Sequence, residues 1–453
     1  MTTQAPAARA AATVEPAGND RRVRASRRSL RRAGTPTILR LLLIGLVCIS
    51  LAWGAVCAWT VSQHAAAATE VVTTSEPLSL AAQQMYQSLA DADVTATTSF
   101  LAGPQQPLAV RQRYEADIAR VATDLAELKN GPAAGSQQFG TQLAAVATGL
   151  PVYTGYVQQA QTYSSLGYPL TGGSFMQVAS EEMHLTLLPA ARAIYASENA
   201  ALDAASAGAT GLPWMVVAVV LAILIGVVLY RTQRWLRRRT HRMVNYGLLG
   251  ASVAVFAALV WLVIAFGSAR IDLQAGLGHG SDPAQQLAQA SIAAQQGRGD
   301  EILNLISRSG SASFARDFQT IQRGIGPGPG TLLTVAAGSS EAGAGGDLVA
   351  AAGRDAHGWY TATGQVFRLD LAANYGAETQ LVIGTGNGSS AAQFSRLESD
   401  LHGAIAADQV VFRSHAAAGR NAFAGLEAGI IVAALLMAAG SAWGISRRLA
   451  EYR

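Results

Sequence analysis

The sequence predicts an all-α membrane protein with four transmembrane helices and two extracytoplasmic helical bundles, and three observations carry that prediction. Half of the 453 residues are hydrophobic and only 14% are charged, against about a quarter in ordinary soluble domains. Four stretches, 41–61, 212–230, 243–269 and 428–445, contain no charged residue and are long enough to cross a bilayer as helices. Between the spans lie segments 62–211 and 270–427, where apolar residues recur at alternating steps of three and four, as in packed helices.

Charge gives the orientation. All but one of the 33 basic residues are Arg. Residues 1–40, the turn 231–242 and the tail 446–453 carry 18 basic and three acidic residues, a net +15. The two long segments carry 15 basic and 26 acidic residues, a net −11. The positive-inside rule therefore puts both termini and the turn in the cytoplasm and both long segments outside. Residues 1–40 read as a basic disordered segment and 446–453 as a cytoplasmic tail. Ser26-Arg27-Arg28-Ser29-Leu30 has a twin-arginine flavour, but the 21-residue apolar run that follows exceeds the 7–15 residues usual in a cleaved signal. The first span is therefore read as a retained anchor. Trp59, Trp214, Trp261 and Trp443 sit near span ends as interfacial anchors do, whereas Trp53 sits mid-span. Gly440 and Gly444 weaken the fourth span, although Gly is tolerated in membrane helices. Cys48 and Cys57 lie nine positions apart in the first span, on opposite sides of a helix and about 13 Å apart along it, so they cannot bridge.

Segment 62–211 reads as a four-helix bundle. Its seams run Ala82, Met85, Leu89, Ala92, Ala96; Tyr114, Ile118, Val121, Leu125, Leu128; Phe139, Leu143, Val146, Leu150, Tyr153, Val157; and Met176, Met183, Leu187, Ala190, Ile194. Breaks are expected at Gly103-Pro104, Asn130-Gly131-Pro132 and 167–173, with a kink at Pro151. The first and fourth helices are expected to flow directly into spans one and two. Segment 270–427 is less regular. Helices are expected over about 272–296, 300–323, 347–354 and 358–374, with loops at 324–330 and 384–390. A last helix through Phe394, Leu397, Leu401, Ile405 and Phe412 returns into span four.

Little in the chain carries chemistry. The glycine run 324–330 follows no strand and opens no helix, unlike a dinucleotide loop. Arg298-Gly-Asp300 and the sequon Asn387-Gly-Ser389 are short matches. The seven histidines never fall at metal spacing. No enzyme activity, cofactor, metal or nucleic-acid partner is expected. The spans hold no ionisable residue of the kind transport paths need. Arg111, Arg113, Arg298 and Arg308 are candidates for contact with an anionic ligand or partner through bidentate guanidinium bonds. The competing reading of the arginines on the second helix is a solvated face paired with Glu115 and Asp117. The cytoplasmic pieces are about 40, 12 and eight residues long, below the roughly 50 of even a small domain. Any output must therefore pass through a separate protein, for which Arg237, Arg238 and Arg239 are the candidate docking residues. Topology and attraction to anionic lipid, about 1 kcal/mol per basic residue, are the alternative role for the same three.

The segments Leu150-Pro-Val-Tyr-Thr-Gly-Tyr156, Leu188-Pro-Ala-Ala-Arg192, Asp91-Ala-Asp-Val94 and Phe100-Leu-Ala-Gly103 resemble an actinobacterial family of four-span membrane proteins, the GlnX type. The likeness in architecture covers the whole chain, and the anchored bundle is also similar to bacterial chemoreceptor ligand-binding modules. The resemblance implies sensing of extracellular amino acids through a glutamine-binding-type lipoprotein and output to a cytoplasmic serine/threonine kinase of the kinase G type. Since no charged cluster is evident on the bundle seams, the amino-acid signal is expected to arrive on the docked lipoprotein and not by direct binding. A homo-oligomer is compatible with this reading. The alternative function is a scaffold or accessory subunit of a cell-envelope complex.

Overall fold

The computed structural model describes residues 35–103, 108–211, 213–240, 246–307, 311–326, 328–340 and 344–450. Arg308 and most of the basic segment 1–40 lie outside the described residues. Among the described residues there is no strand, and four helical stretches are long and apolar enough to span a membrane. The chain divides into a span unit, up to Thr60 with Pro213–Leu262 and from Gly425, and a bundle unit of Val61–Leu212 and Val263–Ala424.

The span unit takes α7 (Pro213–Thr240), α15 (Leu426–Ala450) and the parts of α1 (Thr35–Glu70) and α8 (Tyr246–Gly276) up to Thr60 and Leu262. Trp53, the mid-span tryptophan, is buried and donates Nε1–H to the Ala218 carbonyl at 3.2 Å, joining the first span to the second. Gly440 and Gly444 form a small-xxx-small pair that admits a neighbouring backbone. A Cβ on Gly247 would fall 2.5 Å from the Gly440 carbonyl oxygen and 2.7 Å from the Gly444 Cα. The glycines that weaken the fourth span thus let it approach the third closely. Trp261 lies against Gly429, so it packs between spans as well as facing outward. The segment 231–242 is not a turn throughout: α7 stays helical to Thr240, because no Gly or Pro interrupts good helix formers there. The side chains of Arg237, Arg238 and Arg239 lie outside the described residues.

The bundle unit takes α2 (Glu76–Ala102), α3 (Leu108–Lys129), α4 (Gln137–Ser165), α5 (Pro169–Glu182) and α6 (Leu188–Thr210) from the first inter-span segment. The second contributes α9 (Asp282–Ser307), α10 (Ser311–Ile325), α11 (Leu332–Ser339), α12 (Ala344–Leu371), α13 (Tyr375–Ile383) and α14 (Ser390–Asn421). The expected seams on α2, on α4 and across α5–α6 are buried throughout. Pro151 does not interrupt α4. On α3 the buried stripe is Asp117, Val121, Asp124 and Leu128. It is rotated from the expected one, leaving Tyr114, Ile118 and Leu125 half-buried, because two acids turn inward.

Each segment has its own core. The first gathers around Met85, Leu89, Tyr153, Met176 and Ile194, and the second around Trp359, Phe318, Phe394 and Leu401. Phe318 and Phe394 each meet the fully buried Trp359 ring in an edge-on contact at 5.1 and 5.3 Å. A third cluster, Val94, Ile302, Leu305, Val366 and Val382, draws on both segments and joins the two bundles into one unit.

Several expected boundaries move. Helix α12 is single where two short helices are expected over 347–374, because Val349, Ala352, Ala356, Trp359 and Val366 keep one face buried across Gly353 and Gly358. Helix α9 runs to Ser307, so Arg298-Gly-Asp300 lies inside it and not at a helix boundary. Ser389, the last residue of the sequon, is the N-cap of α14 and accepts from the Ala392 N–H, a local role that the sequence around it needs.

The four span entries are not alike. Helix α1 passes into α2 through a π-turn, Val71–Ser75, and α8 passes into α9 through another, Leu277–Ser281, without a break. By contrast, α6 ends at Gly211 in extended conformation before Pro213, and α14 ends in a turn closed by Gly425 at φ 73°. The expectation that the fourth helix of the first bundle and the last helix flow into their spans is therefore corrected. An extended residue near a proline and a left-handed glycine stop both.

Candidate functional site: a charged seam between the inter-span segments

Helix α2 is buried almost all the way round from Leu78 to Ser99. The acids of Asp91-Ala-Asp-Val94 therefore have no solvent face to occupy, and burial of a charge is costly unless it is paired. They are answered from both segments. Arg113 of α3 spends its fork on Asp91, with Nε–Oδ2 and Nη2–Oδ1 both 2.8 Å. The same Nη2 reaches Glu398 Oε1 of α14 at 2.5 Å. One guanidinium thus clamps α2 and α3 to α14, the long helix that closes the second segment. Gln295 of α9 approaches the same Glu398 oxygen at 3.5 Å.

Two further networks extend the seam. Asp93, 2% exposed, accepts from Ser180 Oγ at 3.1 Å and lies 3.4 Å from His184 Nε2 at the π-turn Met183–Leu187. On its other side His184 feels Asp300 of α9. Deeper in the second segment, Arg298 donates to Glu301 at 2.5 Å, to Ser390 Oγ at 3.1 Å and to the Val382 carbonyl at 2.7 Å. Glu301 in turn accepts from Thr363 and Ser390. This pair locks α9, α12, α13 and α14 together.

Beside the Arg113 clamp a cleft of about 360 Å³ opens between the segments. From α2 it takes Gln83, Gln84, Gln87, Ser88 and Asp91; from α3, Asp117 and Arg120. Gln295 of α9 and His402, Ile405, Ala406 and Gln409 of α14 complete it. Gln87 Nε2 and Gln295 Oε1 are buried there without a hydrogen-bond partner, an arrangement that native structures rarely leave unanswered.

Burial sets the protonation of the seam. It lifts Asp117 to about 8, helped by the facing Asp91 carboxylate and opposed by Arg113 and Arg120. Glu398 is raised by burial and Asp91 against the pull of Arg113. Asp300 is raised to about 6 by burial and by Asp317 and Asp93, while burial lifts Asp124 and Asp408 to about 6 as well. For His184 burial lowers the value, but Asp93 and Asp300 more than compensate, so it is raised overall. His402 is lowered by burial, reinforced by Arg113 and Arg120.

The sign of the pH dependence follows. An acid with a raised folded value binds more protons folded than unfolded, so stability falls as pH rises between its two values. The raised His184 acts in the same direction, losing its contribution as pH rises through its folded value, and only His402 opposes. The melting temperature of the full-length protein in detergent should therefore fall steadily from pH 5 to pH 8. A flat or rising profile over that range would contradict the burial of these acids.

The sequence-predicted residues divide. Arg113 is the centre of the seam, but its fork is filled by internal carboxylates. Arg298 is a correction: it is 3% exposed and fully engaged, so no ligand or partner reaches it. Arg111 sits on a solvated face 3.8 Å from Glu115. The expectation that no charged cluster lies on the bundle seams is overturned by Asp91, Asp93, Asp117 and Glu398. The missed signal was present. Gln83, Gln87 and Asp91 recur every four residues on one helical face, a polar line along a buried helix. No group of three or more His, Cys, Asp or Glu side chains suited to a metal forms among the described residues.

These features define a class, a multi-pass helical membrane protein with a charge-stitched helical module between its spans. Residues 67–207, from the end of α1 into α6, match the family described as Actinobacterial sensor domain. The match covers less than half of the chain. No curated protein and no solved structure matches.

Proposed function

We propose that the chain is a non-catalytic transmembrane sensor, with the bundle unit outside the cytoplasmic membrane, that passes its signal to a separate cytoplasmic protein. The observation that carries this reading is the Arg113 clamp, which makes the packing of one inter-span segment on the other depend on a few charges. The unbroken α1–α2 and α8–α9 helices give a change at the seam a path onward, and interhelical shifts of about 1–2 Å are a known switching mode. π-turns within such helices occur frequently at functional positions. Outside, a solute-binding lipoprotein is the input partner that the family resemblance implies. Inside, the partner is a serine/threonine kinase docking on the arginine-rich end of α7, with Arg237, Arg238 and Arg239 as contacts. A ligand or partner shifts such a switch only through unequal affinity for its two states.

The orientation rests on the net +15 and −11 of the alternating segments. Single cysteines at Ser136 and Ser339, one in each inter-span segment, should label with a membrane-impermeant reagent in intact cells. Labelling of either only after lysis would place that segment inside and end the proposal.

A further inference from the structure

His184 stands where the two inter-span segments meet, between acids of each. Its Nε2 lies 3.4 Å from Asp93 Oδ2 of α2. Helix α9 comes so near the same acid that a Cβ on Gly299 would lie 3.8 Å from Asp93 Oδ2. The next residue, Asp300, presents its charge to both His184 and Asp93. One imidazole thus faces a carboxyl of the first segment and a carboxyl of the second. Val94 and Ile302, close in sequence to the two acids, belong to the apolar cluster that joins the segments. A change of charge at this point acts directly on that join.

The surroundings, among the described residues, are mostly acidic or neutral. Just before His184 come Glu181 and Glu182, and Glu182 turns toward Gly149 of α4. Helix α4 brings Tyr153 and α3 brings Tyr114, phenols that burial keeps neutral beside Asp93. Helix α10 brings Asp317, a further acid that faces Asp300. Ser180 supplies Asp93 with a neutral hydroxyl at 3.1 Å. Arg113 is spent on Asp91 and Glu398, and Arg298 on Glu301. Of the groups at the join, His184 is the one whose charge turns positive between pH 5 and 8. It is also within reach of water. Its side chain is 31% exposed against 3% for Asp93, so a proton arrives without any opening of the fold.

Going beyond the sensor reading above, we infer that His184 is a proton-operated latch between the inter-span segments. Protonated, it bridges Asp93 and Asp300 and holds α9 against α2. Neutral, it leaves two carboxylates facing each other, and the segments ease apart. Acidity on the side of the membrane where the bundle unit lies is then an input of its own.

The sign is fixed by the neighbours. Burial lowers the His184 value, but the bond to Asp93 and the charges of Asp93 and Asp300 more than offset it, so the value is raised. Proton uptake therefore favours the closed arrangement. Its hold is complete below the ordinary imidazole value of 6.5 and is lost as pH rises through the higher folded value. Asp300 is raised to about 6 by burial, against the pull of His184 and with help from Asp317 and Asp93. It too takes up a proton as the medium acidifies, which removes the opposing charge, so both groups act in one direction.

The test is the spacing of the segments in the full-length protein in mild detergent, read by pulsed electron paramagnetic resonance. Spin labels go on L170C of α5 and L371C of α12, positions 82% and 79% exposed, in a C48A/C57A background. The ratio of short to long distances should be at least about threefold higher at pH 5.5 than at pH 8.5, with a midpoint above the ordinary imidazole value. H184Q should remain near the pH 8.5 distribution throughout. H184K, a permanent cation, should remain near the pH 5.5 distribution, and D300N should shrink the change. Melting curves of each variant separate loss of the latch from loss of fold. A wild-type distribution that does not move with pH, or a change of the same size and midpoint in H184Q, would overturn the inference. Neither outcome touches the sensor reading, which stands or falls on kinase retention and its response to Arg113→Gln.

Discussion

Arg298→Met is expected to destabilise the bundle unit by about 3–5 kcal/mol, the usual cost of removing one partner of a buried ion pair. Arg298 and Glu301 are 3% and 1% exposed, so the Glu301 charge left behind has no water to turn to. Its remaining donors, Thr363 and Ser390, are neutral hydroxyls. The melting temperature of the full-length protein should drop by several degrees, and the double variant R298M/E301L should recover much of the loss, since an apolar pair of similar volume avoids the uncompensated charge. A single variant as stable as the parent would mean that this pair does not hold α9 against α14.

Arg113→Gln should have the largest functional effect. Its removal leaves Asp91, Asp117 and Glu398 facing one another without the cation that joins them. Because Arg113 is 46% exposed, the stability cost is discounted for solvent screening to about 1–2 kcal/mol at pH 8. The cost should shrink toward pH 5, where Asp117 is protonated and fewer charges face one another. The change in coupling is expected to outweigh the change in stability, since this clamp joins the first segment to α14. Melting curves of wild type and R113Q at pH 5 and pH 8 check the sign. Parallel shifts at both values would remove Arg113 from the electrostatics of the seam.

Much of the fold was legible because it rests on local pattern. The uncharged runs and the arginine split require no tertiary knowledge, and the seams on α2, α4 and α5–α6 follow from spacing alone. Helix α3 was misread for a physical reason. Asp117 and Asp124 count as solvent-facing by composition, yet both are buried, and Asp117 lines a cleft completed by α14, some 280 positions further along. Arg298 was misread in the same way, since Val382 and Ser390, which make its burial tolerable, are 84 and 92 positions away. The π-turns and the left-handed Gly425 leave no periodic trace. What was readable of the site was the Gln83–Gln87–Asp91 line and the acids set among alanines in α2. Their partners were not.

The central claim is that the state of the charged seam reaches a separate cytoplasmic protein. The most direct measurement is the amount of serine/threonine kinase retained on the purified full-length chain, wild type against Arg113→Gln, in mild detergent from its native host. The account predicts that the wild type retains such a kinase and that R113Q changes the amount at least about threefold, with expression and topology unchanged. Equal retention by both proteins, or no kinase on either, would contradict it.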